Sequence, residues 1–588
     1  MTSRARFWLG LFIVVGLYVL HVNLKIQKIY QNSTWDAADE VGQFWSEAAF
    51  HYRFVKFFAT HPVGDWHQLT QDRAIQYPDT INDWAEFTVA MEVPVGLLYR
   101  WLHPALPLHV YVVWYACLVS SLTLFAVFFL ARELWHNVAA GVFGSILYAT
   151  LYPSYGRTVK NLFLREDFAI PLIVFALFFS LRALQDCRRR DQICAALFWL
   201  AALASWHLTQ FVLAVGVGAV VLAYFGLGTA PRVPWFVLVL AAGSVGIPVL
   251  WAKQFYLSIT MCVLFALALT NWITSKRKWA PLVFGGWLVL LLAISAWRQQ
   301  SYSEYAHVYQ LFIAKLRFLG VKPTDPAALP WEARCLWQGA FDTASAWEFW
   351  HSLQWCLPLA VIAAWKMGQR DIGKIVLILF ALLLMPLTWM VIRYFTFLGF
   401  AVAVVAAGLA TQQLRWRVVL GLATVWQLVM LNFQPLSRAP VVPDNDKPLM
   451  NWINTQTPTN AVILATISEA PAVLAYTGRS IILHSKFENH AIRERYQEFL
   501  TAIYGTEEQF YDFARRSGAD YFIYDGDYLI PGPTSRRYQA DKLGNLDQNC
   551  AALLFALAPQ QLQHFRLQSI AGGYAIFRVL PAEGRGRH

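Results

Sequence analysis

Several short stretches place chemistry-bearing side chains beside long apolar runs. Phe44-Trp45-Ser46-Glu47-Ala48-Ala49-Phe50-His51-Tyr52-Arg53-Phe54 carries one carboxylate among aromatics. Aromatic rings gather at membrane interfaces. A Glu there is expected to be partly desolvated, with a raised pKa suited to a general base; a loop carboxylate pointing at water is the plain alternative. Arg157-Thr158-Val159-Lys160-Asn161-Leu162-Phe163-Leu164-Arg165-Glu166-Asp167 concentrates cations just before an apolar run. Guanidinium groups bind phosphate oxygens bidentately, although ion pairs to Glu166 or Asp167 would also account for them. Arg393 lies between two apolar runs, and a charge so close to hydrocarbon marks a functional site or snorkels to headgroups. His307 and Lys315 share an amphipathic stretch, Ala306–Lys315, that also fits packing on the membrane surface. Trp206 and Gln210 sit at a polar turn between two apolar runs, as interfacial residues or as ligand contacts. One carboxylate and several cations on one membrane face suit transfer of a group from a lipid phosphate.

The elements that must position these residues are membrane spans. The chain has 588 residues, 57% hydrophobic and only 14% charged, with 26 Trp, 25 Tyr and 41 Phe. Soluble domains carry about 25% charged residues. A soluble globule, a disordered chain and a fibrous repeat are excluded. A spanning helix needs about 20 apolar residues. Candidates fall near 7–24, 108–130, 138–152, 168–184, 192–207, 209–228, 233–250, 255–271, 280–297, 352–366, 374–391, 395–411 and 417–433, thirteen in all. Lys and Arg collect in short cytoplasmic loops. With Arg4 and Arg6 inside, alternation puts the basic turns Arg188-Arg189-Arg190, Arg232, Lys276-Arg277-Lys278 and Lys366–Lys374 on that same face. The net charge of +11 thus needs no nucleic acid to explain it. The first apolar run lacks a small-residue cleavage site and reads as a retained span rather than a signal peptide.

This leaves three long outward segments: a first loop 25–109, a second large loop 298–351, and a tail. The expected organisation is a multispan unit 1–433 and an extracytoplasmic or lumenal α/β unit 434–588, in a prokaryotic plasma membrane or the endoplasmic reticulum. In the tail, Ala461–Ala465, Ser480–Leu483 and Tyr521–Tyr524 read as buried strands. Between them lie the helical stretches Ser468–Thr477 and His490–Ser517. Gly572-Gly573 joins two further strands as a hairpin. The alternation predicts a small parallel or mixed sheet. The seven Cys form no CxxC pair, which argues against a disulfide framework or a zinc site.

These motifs, taken together, resemble the tryptophan C-mannosyltransferase family, the Dumpy-type multispan enzymes. Ser46-Glu47-Ala48-Ala49-Phe50-His51-Tyr52 resembles that family's first-loop segment, whose Glu is the proposed base. Gln76-Tyr77-Pro78-Asp79-Thr80-Ile81-Asn82, Glu92-Val93 and Tyr99-Arg100 follow in step. Arg157, Leu164-Arg165-Glu166, Trp206, Gln210-Phe211, Ala306-His307 and Lys315 keep the spacing. In the tail, Arg479–His484 and Glu488 resemble a family block. Leu162 and Phe163 stand where that family carries Pro.

The resemblance implies a GT-C type polytopic α-helical membrane protein, about 13 transmembrane helices with a C-terminal soluble α/β domain. It implies a polyprenyl (dolichyl)-phosphate sugar donor and a protein or peptide acceptor containing Trp. Arg165, Arg157, Arg393, His307 and Lys315 would bind the donor phosphate. Glu47 would act as base in an inverting transfer, and Tyr77, Trp206, Gln210, His484 and Glu488 would line the acceptor pocket.

A more distant similarity is to oligosaccharyltransferase catalytic subunits. Here Arg165 enters their second acidic motif, and Ile467-Ser468-Glu469-Ala470-Pro471 replaces their Trp-Trp-Asp-Tyr-Gly. No metal and no other cofactor are therefore expected. A GT-C transferase acting on a lipid-linked glycan or a hydroxyl, or a membrane transporter, are the competing readings, although no internal repeat of the transporter kind is visible.

Overall fold

The computed structural model describes residues 2–227, 233–273, 279–298, 305–366, 371–433, 446–530 and 536–581. Each of the thirteen expected spans coincides with a helix. Among the described residues, seven helices are long and apolar enough to cross a membrane: Ser3–Tyr30, Leu108–Trp135, Arg165–Asp186, Thr209–Gly226, Ala280–Arg298, Ile372–Met390 and Ile392–Thr411. Four shorter apolar helices accompany them, Val138–Ala149, Pro234–Gly246, Ile259–Ile273 and Cys356–Trp365. Arg189–Ser205 and Leu414–Phe433 carry terminal Arg residues that dilute their apolar character. The basic turns at Arg232 and Lys276–Lys278 and most of the 435–448 linker lie outside the described residues.

Burial sorts the helices. Ile392–Thr411 is 94% buried and forms the central pillar, whereas Ser3–Tyr30 and Ala280–Arg298 are only 22% and 17% buried. Apolar faces left open on membrane-length helices are matched by lipid tails. The first helix runs past the boundary expected from sequence. Lys25 is buried within it and donates to Ser120 Oγ at 2.8 Å, so the first loop starts after Tyr30 and not at Lys25.

That loop is itself folded. Helix Ser46–Thr60 packs against helix Glu92–Leu102. Their closest approach needs Gly96, where an added Cβ would lie 2.5 Å from Phe58 Cβ and 2.9 Å from the Ala59 nitrogen.

The described C-terminal residues form a mixed five-stranded sheet in the order β2-β1-β3-β5-β4. The strands are β1 (Val462–Leu464), β2 (Ser480–Ile481), β3 (Tyr521–Tyr524), β4 (Phe565–Ala571) and β5 (Tyr574–Val579). β1 pairs in parallel with β2 and β3; β5 runs antiparallel to β3 and β4. The β4–β5 turn uses Gly572 and Gly573, both at positive φ, where glycine carries no Cβ penalty. The single helix expected over His490–Ser517 is two, His490–Ile503 and Glu507–Arg516, divided at Gly505.

An exposed strand edge invites pairing. Here β2 is covered by the first loop: Ile481 N donates to Ala74 O at 2.8 Å, and Tyr77 N donates to Ile481 O at 2.9 Å. Behind this seam the chain runs through residues 482–489 toward the membrane bundle.

Candidate active site

Glu47 lies in the first turn of helix Ser46–Thr60, after Ser46 at φ +51°. A left-handed serine is uncommon and marks a locally constrained turn. The Glu47 side chain is 30% exposed, so it is sheltered yet reachable. Its Oε1 accepts from Lys486 Nζ at 2.6 Å and lies 3.6 Å from His51 Nε2. Its Oε2 lies 3.7 Å from Arg393 Nη2. Burial pushes the carboxyl up, but Lys486, His51 and Arg393 outweigh it and hold the group well below the usual carboxylate range. The raised pKa expected from the aromatic surroundings is therefore reversed: the two neighbouring cations, Lys486 and Arg393, decide the balance, and both come from distant parts of the chain.

A second row supports the first. Lys486 Nζ also lies 3.1 Å from His51 Nε2. His51 Nδ1 faces Glu92 Oε1 in a short contact between two fully buried side chains. A proton on Nδ1 then donates to Glu92 and leaves Nε2 free to accept from Lys486. Burial, then the charges of Lys486 and Arg165, keep the imidazole neutral by lowering its pKa. The Gly96 contact brings Glu92 to this place.

The cations gather at the ends of two spans. Arg393 Nε donates to Glu166 Oε1 at 2.8 Å, and its guanidinium lies 5.1 Å above the Trp206 ring. Arg157 Nε lies 2.8 Å from the same Glu166 oxygen. Arg165 begins its helix and is 1% exposed, yet its Nε and Nη2 have no hydrogen-bond partner. A buried charged donor without a partner is costly, on the order of 1–3 kcal/mol or more. Its empty positions suit an anion.

The remaining predicted residues divide. Glu488 is ionised against burial, its pKa drawn down to about 2 by Lys486, His207 and Arg165. His484 is buried, takes a hydrogen bond from Lys486 N at 3.2 Å, and lies 3.4 Å from Gln76 Oε1. Burial, then Lys486, lowers it to about 3. Trp206 stacks on Phe397. Gln210 lines a cleft beside His207. His307 is buried near Tyr305.

Two expected site residues serve other contacts. Lys315 donates to the carbonyls of Phe341 (2.6 Å) and Met390 and to Thr343 Oγ1 (3.3 Å), which occupies all three of its protons. It braces the turn that carries Arg393. Burial lowers its pKa to about 7. Tyr77 sits in the seam with β2, its ring packed on the C-terminal core.

Lys486, His51 and Glu92 were assigned no role from the sequence. The available signal was a Lys placed between His484 and Glu488, and a His one helical turn after Glu47. Among the described residues, no group of three or more His, Cys, Asp or Glu side chains is placed to hold a metal ion.

Residues 13–320 and 373–528 match the family described as Dpy19, Q-cell neuroblast polarisation. The chain belongs to the Dpy19 family. Both matched segments contribute to the site, the first with Glu47, Glu92 and Arg165, the second with Arg393 and Lys486. A curated member, the C-mannosyltransferase dpy-19 homolog of Drosophila melanogaster, is 24% identical over 228 residues. That match covers 36% of this chain and only 25% of the fly protein. Among solved structures, the oligosaccharyltransferase AglB of Archaeoglobus fulgidus, in complex with an inhibitory peptide and a dolichol-phosphate, superposes with a TM-score of 0.62 at 13% identity, covering 90% of this chain and 70% of that one. The apo form of the Archaeoglobus oligosaccharyltransferase gives 0.53 at 14% identity, covering 88% and 70%. This Dpy19 member shares its fold with that oligosaccharyltransferase.

Proposed function

We propose that the protein is an inverting glycosyltransferase that moves a hexose, mannose by the family reading, from a polyprenyl phosphate to a tryptophan side chain. The observation that carries the reading is the meeting of an ionised Glu47 with the Arg157–Glu166–Arg393 cluster, next to a buried Arg165 with unfilled donor positions. Membership of the Dpy19 family supports it.

Arg165 and Arg393 would hold the phosphate, and Arg157 would keep Glu166 from neutralising them. Fixed cations where charge develops are often the largest catalytic contribution. The indole carbon attacks the anomeric carbon, and the anomeric C–O bond breaks. The electron pair leaves with the polyprenyl phosphate, and the ring then loses its proton to Glu47. A positioned base contributes about 10²–10⁴-fold. Phosphate arrival draws Arg393 toward the new anion, weakens its hold on Glu47 and makes the carboxylate more basic when it is needed.

The reading includes a cytoplasmic N-terminus with the site and the C-terminal α/β unit on the opposite, extracytoplasmic or lumenal face, as the basic turns suggest. The test mixes purified protein, polyprenyl-phosphate mannose and a Trp-x-x-Trp peptide. Fragmentation mass spectrometry should find hexose carbon-linked to Trp. Oxygen-linked hexose, or none, would overturn the assignment.

A further inference from the structure

A second cationic cleft lies at the end of the first helix remote from Glu47. Helix Ser3–Tyr30 has 28 residues, so its ends are about 42 Å apart at 1.5 Å per residue. Tyr30 leads into the loop that carries Glu47, and Ser3 stands at the other end. There a cleft of about 460 Å³, within the usual range for small-molecule sites, is lined by Arg4 and Phe7 of that helix and by Arg132, Glu133, His136 and Val138 of the turn between helices Thr123–Trp135 and Val138–Ala149. Its walls are fixed by two close approaches. An added Cβ on Gly10 would lie 2.5 Å from Val138 Cγ1, and one on Gly141 would lie 2.8 Å from the Phe128 carbonyl oxygen.

The charge in this cleft favours an anion. The Arg132 guanidinium is held 4.7 Å over the Phe7 ring, and Arg4 is exposed. The carboxylate in the lining, Glu133, lies 3.9 Å from Arg182 Nε, a cation outside the cleft. Two helices start here, but Thr2 Oγ1 accepts from Ala5 N at 3.2 Å and Asn137 Oδ1 accepts from Ala139 N at 2.8 Å. The guanidinium groups, more than the capped helix ends, therefore supply the attraction. Guanidinium pairs with phosphate oxygens in bidentate fashion.

One face of the first helix discriminates among anions. Arg4, Trp8, Phe12, Val15 and Val19 follow one another at three- and four-residue steps, which places them in one row. The four apolar members of that row are all exposed. From Trp8 to Val19 the row descends about 16 Å, close to half of a hydrocarbon core about 30 Å thick. A cationic head site thus continues into an apolar stripe one leaflet deep. Free phosphate would leave the stripe unused. A zwitterionic lipid would bring its own cation against the guanidinium groups. A phospholipid whose head carries net negative charge suits both parts.

We propose that the cleft binds the phosphate headgroup of an anionic phospholipid through Arg4 and Arg132, with the lipid's chains laid along Trp8, Phe12, Val15 and Val19. The lipid bridges the first helix, whose apolar window is only 22% buried, to the hairpin Thr123–Ala149. The site stands apart from Glu47 and does not depend on the activity proposed above.

The experiment titrates the full-length protein in detergent with phosphatidylglycerol, phosphatidylcholine or inorganic phosphate and reads bound ligand by native mass spectrometry. Wild type is compared with Arg4→Gln, Arg132→Gln and Arg190→Gln. Arg190 is exposed on a basic turn outside the cleft, so its variant removes the same charge elsewhere. Arg4 is exposed as well, and its variant keeps the test decisive if Arg132→Gln folds poorly. Arg4→Gln and Arg132→Gln should each weaken phosphatidylglycerol binding about fivefold, the worth of one cation at an anionic lipid surface. Arg190→Gln should stay within about twofold of wild type, as should phosphatidylcholine binding by every variant. Excess inorganic phosphate should leave the bound lipid in place. Equal losses in Arg4→Gln and Arg190→Gln would reduce the effect to diffuse surface charge and overturn the proposal. Phosphatidylcholine held as tightly as phosphatidylglycerol, or lipid displaced by inorganic phosphate, would overturn it too.

Discussion

Lys486 Nζ lies 2.6 Å from Glu47 Oε1, although 439 positions separate the two residues in the chain. The ammonium comes from the strand-to-helix connection after β2, and the carboxylate from the first loop. The proposed base is therefore held by two units that share no local sequence.

Glu47→Gln is isosteric and removes only the charge. Turnover should fall by at least about 10²-fold, the lower end of a base's usual contribution. Donor binding should persist because Arg165 is untouched. Product quantified by mass spectrometry and lipid binding measured separately check the two halves, and retained turnover would take Glu47 out of its role.

Lys486→Met tests the electrostatics. The folded Glu47 carboxyl sits below its unfolded value, so its pairing adds stability at pH above that unfolded value and loses it as pH falls through the folded one. Without Lys486 the folded value climbs. The acid limb of kcat/KM should move to higher pH, and stability near neutrality should drop by about 1.5–3 kcal/mol, the worth of a hydrogen bond to a charged group. An unmoved acid limb would show that Lys486 does not set the charge state.

Arg165 and Arg479 should respond in opposite ways. Arg479 is buried and donates to the carbonyls of Thr477, Thr457 and Pro458. Arg479→Leu orphans those acceptors and should destabilise the C-terminal unit by several kcal/mol, at about 1–3 each. Arg165→Gln removes a cation whose Nε and Nη2 have no protein partner, so thermal stability should hold or rise while affinity for polyprenyl phosphate falls. Melting curves alongside lipid binding separate the two, and an Arg165→Gln protein that melts early with normal affinity would reverse the assignment.

Gly96→Ala probes the second row. Its Cβ would meet Phe58 and the Ala59 backbone. The helices must part, at a cost of about 1–3 kcal/mol for overpacking, and Glu92 then retreats from His51. We expect lower kcat with little change in donor affinity; steady-state kinetics on variant and parent decide it.

Much of the fold was legible because the bilayer imposes a simple code. Every expected span is a helix, and all five strands fall where short apolar runs and a Gly-Gly turn put them. The site was legible only in part. Glu47, Arg157, Arg165 and Arg393 stood out as charges beside hydrocarbon, where each needs a reason. Lys486 sits in an ordinary polar stretch, and nothing local indicates that β2 docks on residues 74–77 and carries it to Glu47. The error over the Glu47 carboxyl has the same root, since its acidity depends on partners supplied by tertiary contact. Lys315 misled in the other direction: its helix looked interfacial, but its ammonium is spent on backbone carbonyls.

The seam between β2 and the first loop also sets an order of events during synthesis. Ala74 and Tyr77 leave the ribosome some four hundred residues before Ile481, and until Ile481 and Lys486 follow, Glu47 has no ammonium beside it. A nascent chain with every span already made would still lack that contact. The charged pair is completed late, when the last fifth of the polypeptide closes over a loop that was among the first parts made.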